Sequence, residues 1–208
     1  MNKRIKRILS AIFAVFLSAV VFAEGFSFGV EGAFALNKMN LTLGNGSESD
    51  FDFVPGFRFG GAAEYSFNEV TSLQTKILFH HKNGFSYVQG GNTCKLSFMA
   101  LDIPVLLKLT FAGINNIPGR FSVFAGPSFT FRLGDYEASS GGFTSSQGKL
   151  FTPGYFAAGL EAGAEYAFTK ADGFRLGFSV LMDFSDFSES SGVAARRLCF
   201  MPYVSYWF

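Results

Sequence analysis

Apolar residues recur at every second position along this chain, in run after run, and no other feature limits its fold as strongly. A period of two places successive side chains on opposite faces of an extended strand, whereas a helix repeats near 3.6. The first run sets Phe26, Phe28, Val30, Phe34 and Leu36 against Ser27, Gly29, Glu31, Ala33 and Ala35. Seven more follow, within 57–67, 73–79, 99–111, 121–133, 156–166, 174–182 and 198–208. In the fourth, Leu106 breaks the rule by placing an apolar residue on the polar parity. Runs of about ten residues match tilted strands crossing a bilayer. The predicted fold is all-β, an eight-stranded antiparallel up-and-down transmembrane β-barrel.

The connections support that topology. Segments 37–54, 82–95, 134–153 and 185–196 are long and rich in Gly, Ser, Asn and charges, while those after Phe67, Phe111 and Phe168 are short. Long loops outside and tight turns in the periplasm are the pattern of an outer-membrane barrel. A soluble barrel with the apolar face inward is the rival arrangement. Volume decides between them, because eight strands enclose a bore that a few layers of side chains fill. The apolar parity, with much of the chain's 29 Phe, is too bulky for that bore. The opposite parity, dominated by Gly, Ala and Ser with a few charges, suits it. The Phe-rich face is therefore expected to meet outer-membrane lipid.

The amino terminus reads as an export signal. Lys3, Arg4, Lys6 and Arg7 precede an apolar and small-residue stretch from Ile8 to Ala23, which ends in Val21-Phe22-Ala23. This is a secretory layout, predicting a cleaved segment 1–23 and a barrel domain 24–208. Without those four bases the chain carries thirteen bases against sixteen acids, a balance that argues against nucleic-acid binding. Cys94 and Cys199 are too far apart in sequence to make a disulfide framework, though a bridge is open to them. His80 and His81 are adjacent, so on a strand they face opposite ways and cannot chelate one metal.

The inward parity is expected to hold a balanced charge set: Glu31, Glu64, Asp102, Glu161, Glu165 and Asp183 against Arg58, Lys76, Lys108, Arg132, Arg175 and Arg197. Confined charges need partners, so these, matched one for one in number, are expected to pair with each other and fill the bore. Glu165 and Arg175 flank the short turn 169–173 and are expected to be cross-strand neighbours or one diagonal step apart. A proton or ion path is the competing reading of the same residues.

The run Leu101-Asp102-Ile103-Pro104-Val105-Leu106-Leu107-Lys108 resembles the fourth-strand signature of the small PorT-like, porin-family outer-membrane barrels. Phe124-Ala125-Gly126-Pro127-Ser128 is similar to that family's next strand, and Leu73-Gln74-Thr75-Lys76 with Lys82-Asn83-Gly84 to its third strand and following loop. The resemblance implies an eight-stranded barrel in the outer membrane of a Gram-negative-type bacterium. It carries over no catalytic residues. Val204, Tyr206 and Phe208 resemble the terminal signal read by the outer-membrane assembly machinery, with Pro202 required to sit where no ladder donor is needed or at a bulge.

No catalytic, metal or cofactor site is expected. A lipid-modifying enzyme would use His80 or His81 with Ser86, but no spacing joins nucleophile, base and orienter, and interfacial polar residues at a strand end account for the histidines. Gly90-Gly91-Asn92 reads as a turn and Asn45-Gly46-Ser47 as a loop tip. Two functions remain. One is an occluded barrel that meets an extracellular ligand through its long loops. The other is a narrow porin-like or OmpW-like transporter of small hydrophobic solutes, for which Leu106 and Phe124 on the lumen parity are the supporting features.

Overall fold

The computed structural model describes residues 25–43, 48–49, 52–89, 92–112, 119–140, 143–144, 154–168, 173–186 and 193–208. The expected export segment 1–23 lies outside them. The strands are β1 (Phe26–Leu43), β2 (Glu48–Ser49), β3 (Val54–Ser66), β4 (Thr71–Gln89), β5 (Asn92–Ala112), β6 (Gly119–Ser140), β7 (Phe143–Thr144), β8 (Phe156–Phe168), β9 (Phe174–Asp183) and β10 (Val193–Trp207). Antiparallel ladders join them in the order β10-β9-β8-β6-β5-β4-β3-β1. Pairing of β1 with β10, from Gly29 opposite Trp207 to Leu43 opposite Val193, closes the sheet. β2 pairs with Leu41 and Thr42 and so continues the β3 lane, while β7 pairs with Ser139 and Ser140 and continues the β8 lane. The wall is a closed eight-stranded antiparallel barrel, as the alternation predicts.

Outward-facing residues form an apolar belt. Phe57, Phe59, Ile77, Leu107, Leu160, Leu176 and Met182 are all exposed there. Among the described residues the four tightest aromatic pairs lie at the end carrying the chain termini: Phe26 with Tyr65, Tyr65 with Phe67, Tyr166 with Phe168, and Phe174 with Tyr206, at 4.8 to 5.2 Å between ring centroids. At that end, Asn68 holds the β3–β4 turn by accepting the Val70 and Thr71 amides at 2.9 and 2.8 Å.

The ladders run farther than apolar alternation implies. β4, β5 and β6 have 19, 21 and 22 residues. Much of 37–54 and 82–95, read from sequence as loop, is strand: β1 continues to Leu43, and Gln89 pairs with Asn92 and Tyr87 with Cys94. Backbone hydrogen bonding needs no apolar side chain, so it persists where the demand for a greasy outer face stops. Two irregularities mark that level. The β4–β5 register shifts between His80 and Asn83, where Lys82 has φ +55°, and the β5–β6 register shifts at Phe98/Met99, near Gly134 with φ +69°.

Pro202 lies within the closing ladder itself. The β1–β10 pairing lapses at Phe34 and Ala35, opposite Pro202 and Met201, because proline donates no amide hydrogen. Pro104 and Pro127 do the same to β5. The β4–β5 ladder lapses at 76–77 opposite 103–104, and the β5–β6 ladder at 105–106 opposite 126–127.

Candidate functional site

The inner face is lined from every lane, since each strand contributes alternate residues to it. Glu31, Arg58, Glu64, Lys76, Asp102, Lys108, Arg132, Glu161, Glu165, Asp183 and Arg197 are buried there, and Arg175 is half-buried. They do not pair one for one. Two networks share partners instead, because a lysine or arginine side chain, of five or seven heavy atoms, reaches several acceptors across so narrow a bore.

Toward the terminal end, Glu64, Glu165, Lys108 and Arg175 form a closed square. Lys108 Nζ lies 2.8 Å from Glu64 and 2.6 Å from Glu165; Arg175 Nη1 lies 2.8 and 2.9 Å from the same two carboxylates. Ser72 donates to Glu64 at 2.7 Å, Tyr203 donates to Glu165 at 3.1 Å, and the Trp207 ring lies 4.2 Å from the Arg175 guanidinium. In the strand register Glu165 faces Gly177 and Arg175 faces Ala167, one diagonal step apart. A polar cavity of about 460 Å³ opens from this square to the terminal end, bounded by Ser27, Asn68, Thr71, Thr110 and Arg120.

Deeper in the bore, Arg58 is the hub. Its two terminal nitrogens donate to Glu161 at 2.9 Å each, a forked pairing, with Glu31 at 3.6 Å and Asp102 at 3.8 Å. Lys76 Nζ meets Glu31 at 2.6 Å. Asp102 accepts from Thr130 at 2.6 Å, contacts His80 Nδ1 at 3.0 Å, and lies 3.7 Å from Arg197, which pairs with Asp183 at 3.2 Å. Arg132 lies over the Tyr155 ring at 4.2 Å.

An apolar cluster shares the bore: Ala33, Ala35, Leu106, Phe124, Leu181, Cys199, Met201 and Tyr203. The sequence places Leu106 and Phe124 inside; the β10 residues Cys199, Met201, Tyr203 and Trp207 were not anticipated there. Their signal lies in the parity of Arg197 and Ser205, obscured by apolar residues on both faces of the strand. His80 is another lumen residue missed. It is wholly buried, not interfacial, while its neighbour His81 points out. The parity of Gln74 and Lys76 would have placed it. Cys199 is a free thiol buried inside the bore, and the side chain of Cys94 lies outside the described residues. Val204, Tyr206 and Phe208 all face outward and are exposed. The side chain of Ser86 lies outside the described residues.

Chemically, this interior sets neutralising pairs across the bore, with open space beside the square at the terminal end. Such an arrangement braces eight strands against one another.

The chain is similar to the outer membrane protein OprG of Pseudomonas aeruginosa, with 14% identity over 88% of this chain and 96% of that one and a TM-score of 0.49. Neisserial surface protein A shares 17% identity over 88% and 99%, with a TM-score of 0.45. Ail, the attachment invasion locus protein of Yersinia pestis, crystallised with the heparin analogue sucrose octasulfate, shares 16% over 89% and 100%, with a TM-score of 0.43. No curated protein matches the chain in sequence. Residues 18–189, however, match the outer membrane protein beta-barrel domain, so this chain, with its closed wall and apolar belt, belongs to that family and resides in the Gram-negative outer membrane.

Proposed function

We propose that this is a non-enzymatic barrel that serves as a rigid post, presenting its extracellular strand ends and connections to a ligand at the cell surface. The observation carrying this reading is the filled bore: Arg58, Lys76, Asp102 and Glu161 are each at most 1% exposed, and all are engaged with opposite charges. Ionised groups so confined stay only if paired, and while paired they occupy the space a solute would need. Removal of the leader after Ala23, and delivery by the assembly machinery through Val204, Tyr206 and Phe208, belong to the same reading.

A second reading, passage of small hydrophobic solutes, is favoured by the apolar cluster around Leu106 and Phe124 beside the interrupted ladders of β5. One experiment separates the two. In planar bilayers the purified wild type is expected to show little sustained conductance, and Glu64→Gln combined with Asp102→Asn to open it. Large, stable wild-type channels would overturn the occluded post. In liposomes, uptake of a hydrophobic probe that exceeds the lipid background and changes with Phe124→Ser would establish the transporter instead.

A further inference from the structure

Lys76 ends in an unusual place. Its ammonium lies 4.7 Å from the centre of the Tyr203 ring and 5.3 Å from that of Phe124, with the Glu31 carboxylate at 2.6 Å on another side. The two rings stand 6.4 Å apart. Glycines give them this position: a β-carbon on Gly177 would collide with Tyr203, and one on Gly163 with Phe124. Tyr203 is further tied by its hydroxyl to Glu165. The carboxylate is not used up by Lys76, since Glu31 Oε1 is buried with no hydrogen-bond partner, the nearest guanidinium nitrogen being 3.6 Å away.

Two aromatic faces and a carboxylate around one cation are the elements of a receptor for organic ammonium ions, because ring quadrupoles attract positive charge most strongly when water is absent. We propose that Glu31, Phe124 and Tyr203 form an alkylammonium-binding site at mid-depth in the barrel, occupied in the wild type by the chain's own Lys76. The residue acts as a tethered ligand. A primary amine is the class of solute that replaces it, using the same rings, Glu31 Oε2 and the spare oxygen. A guanidinium or quaternary ion fits less well, the first by width and the second by lacking an N–H for the carboxylate.

Chemical rescue tests this. Lys76→Ala keeps the β-carbon and deletes three methylenes and the nitrogen, a void with the outline of n-propylammonium. The purified barrel in detergent should lose urea resistance on this substitution and recover most of the lost midpoint with n-propylammonium chloride. Methylammonium and tetramethylammonium should restore less, and sodium chloride at equal ionic strength least. Adding Glu31→Gln should abolish the recovery. Equal recovery with sodium, no dependence on amine length, or recovery that survives Glu31→Gln would each overturn the site. If Lys76→Ala does not refold with any amine, two fuller side chains decide. Lys76→Met, which fills the space without charge, should lower the midpoint more than Lys76→Arg, which keeps a cation at the rings, and an equal or reversed ranking would overturn the proposal.

Discussion

The two charge networks inside the barrel solve the same problem differently. The square of Glu64, Glu165, Lys108 and Arg175 at the end carrying the chain termini is redundant: each acid touches each base, and the adjoining 460 Å³ cavity gives Arg175 some contact with solvent. The deeper network is a branched chain in a buried interior, with Arg58 serving three carboxylates and orphaned atoms at His80 Nε2, Arg58 Nε and Glu31 Oε1. Redundancy tolerates a missing member; a hub does not. Depth in the bore therefore decides how much each ion pair matters.

The sharpest way to break this contrast is at the hub. Arg58→Ala strands the fully buried Glu161 carboxylate, which loses both of its 2.9 Å hydrogen bonds, and is expected to cost about 3–5 kcal/mol in urea refolding titrations. A loss as small as those found in the square would remove the distinction. Within the square, Glu165→Ala leaves two cations on Glu64, whereas Glu165→Ala with Arg175→Ala restores a simple Glu64–Lys108 pair. The double variant should lose less than the sum of its singles, by about 0.5–3 kcal/mol of coupling, and strict additivity would refute the shared arrangement. The smallest effect concerns the irregularity above the deeper network. Lys82 adopts φ +55°, a region that side chains disfavour, while the matching position on β6 is already Gly134. Lys82→Gly should stabilise the barrel by up to about 1 kcal/mol in the same titration, and a loss would show that the lysine side chain outweighs its backbone strain.

The contrast also explains what the sequence discloses. Period two assigns a face to Glu64, Lys108, Glu165 and Arg175, and the turn between β8 and β9 brings two of them within a diagonal step. Arg58 and Glu161 are another matter. They stand 103 residues apart on strands that share no ladder, and their pairing depends on strand tilt and on the reach of a guanidinium across the bore. Alternation gives a side chain's direction but not its height. It also fails where both faces are apolar, as at Met201, Tyr203 and Trp207, and where a register shift breaks the parity, as at His80/Asn83 in β4 and Phe98/Met99 in β5. Beyond such a slip the hydrogen-bonded ladder carries on in a phase that the rhythm below it does not announce.

The interrupted ladders have a mechanical meaning. A closed ring has no free edge from which to peel, so pulling it apart requires a lengthwise tear between two staves. Tears begin at notches. The terminal seam has one, at Pro202, yet its neighbouring ladder on the β9 side continues through that residue. On β5, Pro104 and Pro127 notch the two flanks at adjoining heights. Among the described strands, the stave notched on both flanks is therefore β5, in the middle of the chain, and neither of the strands that meet at the terminal seam.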